Sequence, residues 1–574
     1  MNRKISIIFI IGVVLLYLCF LGAAPLFDRD EGYYISVAIN MLDKHSLFIP
    51  YYNNSIWLEK PVLLYWMMQA TTAILGESVF AFRLPIACCG ILMITSMYFL
   101  LNTILKDRKN SFIITATAAF MPLFVYISRS AMIDTPLTFF IALSLLFFFI
   151  ATEKDKLNDR KWYYFSWLFL GLSFFAKGPV GPAIVLPSMF VYLILQRDFW
   201  RVFKRANIPV GVIIFCLTNF WYFVAFWKLG DVFWNKFFVE QVFDRGATSL
   251  VGWTAIFTHF SAFYIIVILL TTVPFVGAIV AGFLLSFKGG FKPREQMFDK
   301  LAIFASIFTI ITLFVFSFSA TKLPHYVLPV YPFLAILVGY FWSNVKSSLN
   351  VPYKKTFWTL FSAPVLLLSI AGVLVPILSY VLWGSIEGIL SKGTHANEYT
   401  LPNTLPISSI VIFSLAIIGI VTLIAFIRAY KKKAVDKMIT ISIISGFCYS
   451  FAFAVIFIVI NSWLQNPALE MAKELRVNIN NNSKVVEVGI AKPSLYYYIG
   501  IDYMEPDSEV IDRKKSIKGL LYLSAENISN NKQPLYILTR NGDAIKYDHK
   551  NLFVIKKYPP YLIIGNKVAK ETWQ

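Results

Sequence analysis

The stretch Phe27–Trp66, FDRDEGYYISVAINMLDKHSLFIPYYNNSIWLEKPVLLYW, follows directly on an apolar run. It sets five acids, Asp28, Asp30, Glu31, Asp43 and Glu59, beside Arg29, Lys44 and Lys60. Within it, Tyr34, Val37, Ala38, Met41 and Leu42 share one helical face, which predicts an amphipathic helix lying along a membrane interface. By spacing alone Asp30 reads as the N-cap of that helix, with Asp28 and Glu31 favoured by its dipole. A second helix is predicted from Pro61, a residue suited to a first turn, just behind the adjacent Glu59 and Lys60. Neither half of the stretch is diagnostic by itself. Its setting decides the fold.

That setting is apolar. Of 574 residues 58% are hydrophobic, 17% aromatic and only 15% charged, with a mean hydropathy of +0.66, the balance of a polytopic helical membrane protein. The net charge of +20 fits Lys and Arg in cytoplasmic loops and contact with anionic lipid; no basic stripe of a nucleic-acid-binding domain is present. The five cysteines all lie in apolar runs, without metal-ligand spacing, and read as small core residues. Residues 5–24 are long enough to span, so the basic start MNRK is read as the flank of a first helix rather than of a cleaved leader.

Further apolar runs recur near 82–105, 111–128, 134–152, 163–176, 180–195, 208–227, 257–286, 301–320, 326–343, 357–382, 405–427 and 438–462, giving about 13 predicted spans. Alternate loops carry KDRK (106–109), EKDKLNDRK (153–161), RDFWRVFKR (197–205), FKGGFKPRE (287–295), VKSSLNVPYKK (345–355) and RAYKKK (428–433), which marks them cytoplasmic. The Phe27–Trp66 stretch therefore lies on the outer, non-cytoplasmic side, and an odd number of spans puts the C-terminus there too. From residue 466 onward the composition turns soluble, with strand-like runs at 485–490, 534–539, 552–558 and 561–565 and a short helix at Glu470–Arg476. The chain thus divides into a membrane domain, 1–465, whose first outer loop is 25–78, and a small α/β domain on the outer face, 466–574.

Ionisable groups at a membrane edge are expensive, so their clustering is informative. The outer side offers Asp28, Asp30, Glu31, Glu59, Lys60, Arg129, Asp134, Lys177, Glu240, Arg245, Lys322 and His325, drawn from five loops. The order of motifs then carries a resemblance: RDEGYY, LEKP some thirty residues on, the segment Ser128–Asp134, Ala176-Lys177-Gly178-Pro179, FFVEQ at Phe237–Gln241 and KLPHYVLP at Lys322–Pro329. Together they resemble the bacterial ArnT-like glycosyltransferases of glycosyltransferase family 83, related to protein O-mannosyltransferases. Two positions depart from the family pattern. Its His after Glu240 is Gln241 here, and the Arg of its DE-x-R-Y element is Tyr33, while Tyr34 keeps the Tyr.

The resemblance implies a GT-C fold and sugar transfer from a polyprenyl-phosphate carrier to lipid A phosphate or another outer-leaflet acceptor at the bacterial inner membrane, which makes the first outer loop and the α/β domain periplasmic. Aminoarabinose is the sugar that such enzymes are best known to carry in lipopolysaccharide modification. It also implies roles. Lys60, Lys322, Tyr326, Tyr34 and Lys177 would hold the carrier phosphate, since a departing phosphate needs positive charge and hydrogen-bond donors. Asp30, Glu31 and Asp134 are the catalytic candidates; Asp134 also reads as a plain N-cap before Pro136. Glu240, Gln241 and Arg129 are assigned to substrate or loop contacts, and Glu59 to a divalent metal, a site weakened by Gln241. A protein hydroxyl acceptor and a flippase for the same lipid are the rival readings. The flippase is disfavoured because the chain shows no internal repeat and its charges gather at one interface.

Overall fold

The computed structural model describes residues 3–28, 30–52, 55–154, 160–244, 262–290, 292–319, 322–348, 409–480, 483–487, 490, 492–500, 533–540 and 552–573. The first helix, α1 (Arg3–Leu18), leads into the loop that holds α2 (Asp30–Asp43), a short hairpin of β1 (Tyr51–Tyr52) and β2 (Ser55–Ile56), and α3 (Leu63–Leu75). The bundle continues through α4 (Val79–Leu105), α5 (Arg108–Ala119), α6 (Pro122–Ser128), α7 (Asp134–Lys154), α8 (Lys161–Lys177), α9 (Val180–Gln196), α10 (Phe199–Arg205), α11 (Ile208–Thr218) and α12 (Phe220–Leu229). After a π-helical stretch, Trp234–Asp244, come α13 (Phe263–Thr271), α14 (Val276–Ser286), α15 (Met297–Ser317), a 3-10 segment Pro324–Val330, α16 (Tyr331–Ser348), α17 (Ser409–Lys431) and α18 (Val435–Asn478).

Among the described residues five helices are long and apolar enough to cross a membrane, or seven if each of two bent pairs is one span. The predicted span at 357–382 lies outside the described residues. The bends have local causes. Pro122 cannot donate a backbone hydrogen bond, and α5 and α6 meet there at 65°. At the 55° break between α11 and α12, the Asn219 side chain donates to Phe215 O of α11 (2.8 Å) and to Gly171 O of the neighbouring α8 (3.1 Å), tying the bend to the bundle. Of the cysteines only Cys89 is buried; Cys88 and Cys216 lie on the exposed outside of helices, not in the core.

At one end of the bundle Lys109 and Lys346, from two of the basic stretches, both approach Asp436, at 2.9 and 3.7 Å. The first loop lies at the other. There α2 departs from the amphipathic reading: Gly32, Tyr34, Ile35, Ser36, Val37, Ala38, Ile39, Asn40 and Met41 are all buried, and only its last turn, with Leu42, is exposed. It is enclosed between α3 and the C-terminal domain, whose short helix α19 (Ser494–Ile499) packs against it.

The C-terminal sheet joins β3 (Lys484–Glu487), β4 (Leu535–Arg540), β5 (Phe553–Tyr558) and β6 (Tyr561–Gly565) in the order β3-β4-β6-β5. The first pair is parallel and the others antiparallel, and α20 (Lys567–Thr572) closes the chain. The predicted helix Glu470–Arg476 is not separate. It is the end of the 44-residue α18, which runs through residue 465 unbroken. Ala468, Met471, Ala472 and Leu475 continue a helical stripe into the core of the sheet domain, so packing carries the helix past the change in composition.

Close helix contact in the bundle relies on small residues. A Cβ on Gly282 of α14 would collide with the Leu337 carbonyl oxygen of α16. Gly282→Ala is expected to destabilise the protein by about 1–3 kcal/mol, read as a lower midpoint of thermal unfolding in detergent.

Candidate active site

α7 and α8 are antiparallel neighbours, so the first residue of α7 and the last of α8 arrive side by side. Lys177 Nζ lies 2.6 Å from Asp134 Oδ1, with side-chain exposures of only 13% and 4%. The Asp134 carboxylate is thereby used by a cation rather than as a helix cap. On its other oxygen, His325 Nε2 stands 3.8 Å from Oδ2. The 3-10 segment that supplies His325 also places Tyr326, whose ring lies 4.6 Å below Lys177 Nζ in a cation–π contact.

The first loop reaches the same place. Asp30 acts electrostatically on Tyr34, Lys177 and His325, and Lys60 acts on Asp134 and His325. Tyr34 is buried on α2 and feels Asp134 and Tyr326 as well. Three segments far apart in sequence thus build one polar cluster at the loop end of an apolar bundle: two carboxylates, two ammonium groups, an imidazole and two phenols. Asp30, Lys60, Asp134, Lys177, Tyr34 and Tyr326 are brought together as the sequence reading expects, and His325 joins them.

Other candidates sit elsewhere or are spoken for. Glu31 is fully buried and paired with Arg83 of α4, which donates Nε to Oε1 (2.9 Å) and Nη2 to Oε2 (2.7 Å). The same carboxylate accepts from Phe27 N (2.7 Å) and Ala131 N (2.6 Å). It therefore has no lone pair directed at a substrate, and the expected catalytic role does not fit. Arg129, expected at a substrate or loop contact, makes a loop contact: its guanidinium donates to Leu16 O (2.6 Å) and Cys19 O (2.8 Å), closing the carbonyl end of α1. Lys322 donates to Ser319 O (2.9 Å), just past the end of α15. Glu240 is exposed on the π-helical stretch, and Arg245 lies outside the described residues.

The metal assigned to Glu59 does not fit the donors present. Among the described residues no group of three His, Cys, Asp or Glu side chains is placed to hold an ion. Gln241 stands where the family pattern has His, and its buried Oε1 has no hydrogen-bond partner among the described residues.

The sequence reading missed Arg83, though a lone Arg inside the apolar run VFAFRLPIACC is itself a signal that a buried acid awaits it. It also missed Lys492 and Ser494, which bind Asp28 from 464 and 466 residues away. No local pattern announces a contact of that range.

The family model described as dolichyl-phosphate-mannose-protein mannosyltransferase matches residues 59–226, the segment carrying Lys60, Asp134 and Lys177. An uncharacterised protein of Aquifex aeolicus is 31% identical over 317 residues, which cover 54% of this chain and 67% of that protein. The chain belongs to this family of GT-C glycosyltransferases. A curated arabinosyl transferase of Yersinia pestis, named for undecaprenyl phosphate-α-4-amino-4-deoxy-L-arabinose, is 22% identical over 341 residues. The match to it covers 59% of each chain, so this protein spans about three fifths of that enzyme's length. The fold is that of ArnT from Cupriavidus metallidurans. Its crystal structure bound to undecaprenyl phosphate superposes with a TM-score of 0.75 over 99% of both chains at 16% identity, and its apo structure with 0.73. The whole described architecture, C-terminal sheet included, is therefore a multi-pass GT-C arrangement.

The Arg83–Glu31 and Lys177–Asp134 pairs predict different phenotypes. Arg83→Met strands the Glu31 charge and is expected to cost about 3–5 kcal/mol, lowering the yield of folded protein recovered by gel filtration. Lys177→Met is expected to leave yield closer to wild type while removing activity, because Asp134 keeps His325 and Lys60 as neighbours.

Proposed function

We infer that this enzyme transfers an amino sugar from a polyprenyl-phosphate carrier to a lipid A phosphate at the periplasmic face of the inner membrane. The observation that carries the reading is the convergence of Asp30, Lys60, Asp134, Lys177 and Tyr326 on one cluster at the loop end of the bundle. The likeness to an ArnT fold seen with undecaprenyl phosphate, and to arabinosyl transferases named for that carrier, supports both donor class and sugar class.

The reaction is displacement at the anomeric carbon. The acceptor oxygen forms a bond to C1, and the bond from C1 to the carrier phosphate breaks, with its electron pair leaving on the phosphate. Departure is eased by fixed positive charge in a water-poor site. Lys60 is assigned to the carrier phosphate, with Tyr326 donating a hydrogen bond and Lys177, held by Asp134, adding to the positive field. Lys suits this task as a compact point charge facing a tetrahedral headgroup. A lipid A phosphate is already an anion at neutral pH and needs no general base. Asp30 is then assigned to the sugar's ammonium group or to orienting the acceptor. With a hydroxyl acceptor, as in protein O-mannosylation, the same carboxylate would serve as the base.

Mass spectrometry of lipid A from cells with and without the gene tests the reading. The expected result is loss of a pentosamine or hexosamine increment in the deletion strain, restored by complementation. Unchanged lipid A with altered glycoproteins would replace the lipid acceptor by a protein one. Lys60→Ala and Asp30→Ala are each expected to abolish transfer while the protein still inserts. Lys60→Ala should also weaken undecaprenyl phosphate binding by about tenfold or more, the worth of a hydrogen bond to a charged group.

A further inference from the structure

Residues on both sides of Asp30 in the chain are gripped by the C-terminal domain and by the helix that leads into it. Asp28 accepts at Oδ1 from Ser494 N (2.9 Å) and at Oδ2 from Ser494 Oγ (2.6 Å). Lys492 Nζ lies 3.5 Å from the same Oδ2. It is anchored in turn by Gln465 Oε1 of α18 (2.5 Å) and lies 5.6 Å from the centre of the Tyr561 ring of β6. Leu26 N donates to Tyr498 Oη (2.9 Å), Asn461 Nδ2 donates to Pro25 O (2.7 Å), and Ser36 Oγ donates to Pro493 O (3.0 Å). The rings of Tyr52 and Tyr496 meet at 5.0 Å.

The approach is close enough to demand a glycine. A Cβ on Gly32 would sit 2.6 Å from Ser494 N and 2.7 Å from Asp28 Oδ1, so any larger residue would push α19 off α2. The contact is dry: the Asp28 and Lys492 side chains are 5% and 10% exposed. Burial raises the Asp28 carboxyl above its ordinary value against the pull of Lys492 and Ser494, and lowers Lys492, with Glu487 of β3 and Arg540 of β4 also facing the cluster. A domain that merely covered the site would not need a desolvated charge and a run of directional hydrogen bonds on this one loop.

We propose that the C-terminal domain is a positioning element of the transfer site, holding Asp28 through Ser494 and Lys492 and so fixing the first turn of α2 that carries Asp30. Ser494, Lys492 and Asp28 touch no reacting atom in this scheme. They act through Asp30, and the inference rests on the role given to Asp30 above.

The test uses full-length protein carrying Ser494→Ala, Ser494→Thr, Gly32→Ala or Asp30→Asn. Three readouts are compared: the lipid A sugar increment per unit of membrane protein in a complemented deletion strain, undecaprenyl phosphate affinity in detergent, and hydrogen exchange across residues 30–43. Ser494→Ala and Gly32→Ala are expected to lower transfer at least tenfold and to speed exchange in α2, with undecaprenyl phosphate affinity within twofold of wild type. Ser494→Thr, which keeps both donors, restores transfer. Asp30→Asn loses transfer with exchange in α2 unchanged. Wild-type transfer or unaltered exchange in Ser494→Ala and Gly32→Ala overturns the proposal, as does loss of undecaprenyl phosphate binding in step with transfer, which would make the domain a general scaffold. Full transfer by Asp30→Asn would instead overturn the role of Asp30, while exchange would still report whether the domain holds α2.

Discussion

The bidentate pair between Arg83 and Glu31 is the fastening on which the loop end of this molecule depends. Removing two charges from water costs several kcal/mol per ion, and their attraction offsets this only when the remaining donors and acceptors are also paired. Here they are. Arg83 donates further to the carbonyls of Leu21, Ala24 and Pro25, and Glu31 accepts from Phe27 N and Ala131 N. The pair therefore ties α1, α2, α4 and the start of α7 to one another at the level where the substrate cluster lies. It is a costly device, and it buys a fixed geometry rather than net stability.

Upon that frame the groups of the polar cluster are set by topology. A hairpin of antiparallel helices returns its two ends to the same side of the bundle, so Asp134 and Lys177, 43 residues apart, meet in a 2.6 Å contact. The KLPHYVLP segment leaves the bundle at the same end and brings His325 and Tyr326. The first loop descends from the other side with Asp30, Tyr34 and Lys60. Each group satisfies another, as a polar cluster against an apolar bundle requires. The two carboxylates and two ammonium groups compensate each other, which is how so many charges can stand together at the edge of an apolar bundle.

Much of the fold was legible because a membrane imposes a simple code. Runs of about 20 apolar residues mark spans, and the basic loops KDRK and RAYKKK mark one face. Members of the polar cluster were legible through the order of their motifs, Lys60 and Lys177 included. Where that reading failed, the cause was uniform. Glu31 is a carboxylate like Asp30 and Asp134, and only its partner, the Arg83 guanidinium, distinguishes it. The amphipathic reading of α2 failed because a second face, counted as polar, is covered by a domain more than 400 residues later in the chain.

The sequence by itself determined a multi-span protein with a small α/β domain at its end, and located the ionisable groups at one side. Hydrophobic length, loop charge and strand alternation are local properties, and a chain carries them whether or not it is folded. Only the tertiary structure decided which acids are spent on structure, that α18 runs on from the membrane bundle into the sheet domain, and that Asp28 belongs to Ser494 and Lys492. Those outcomes turn on desolvation and on partners hundreds of residues distant, and neither exists until the chain is packed.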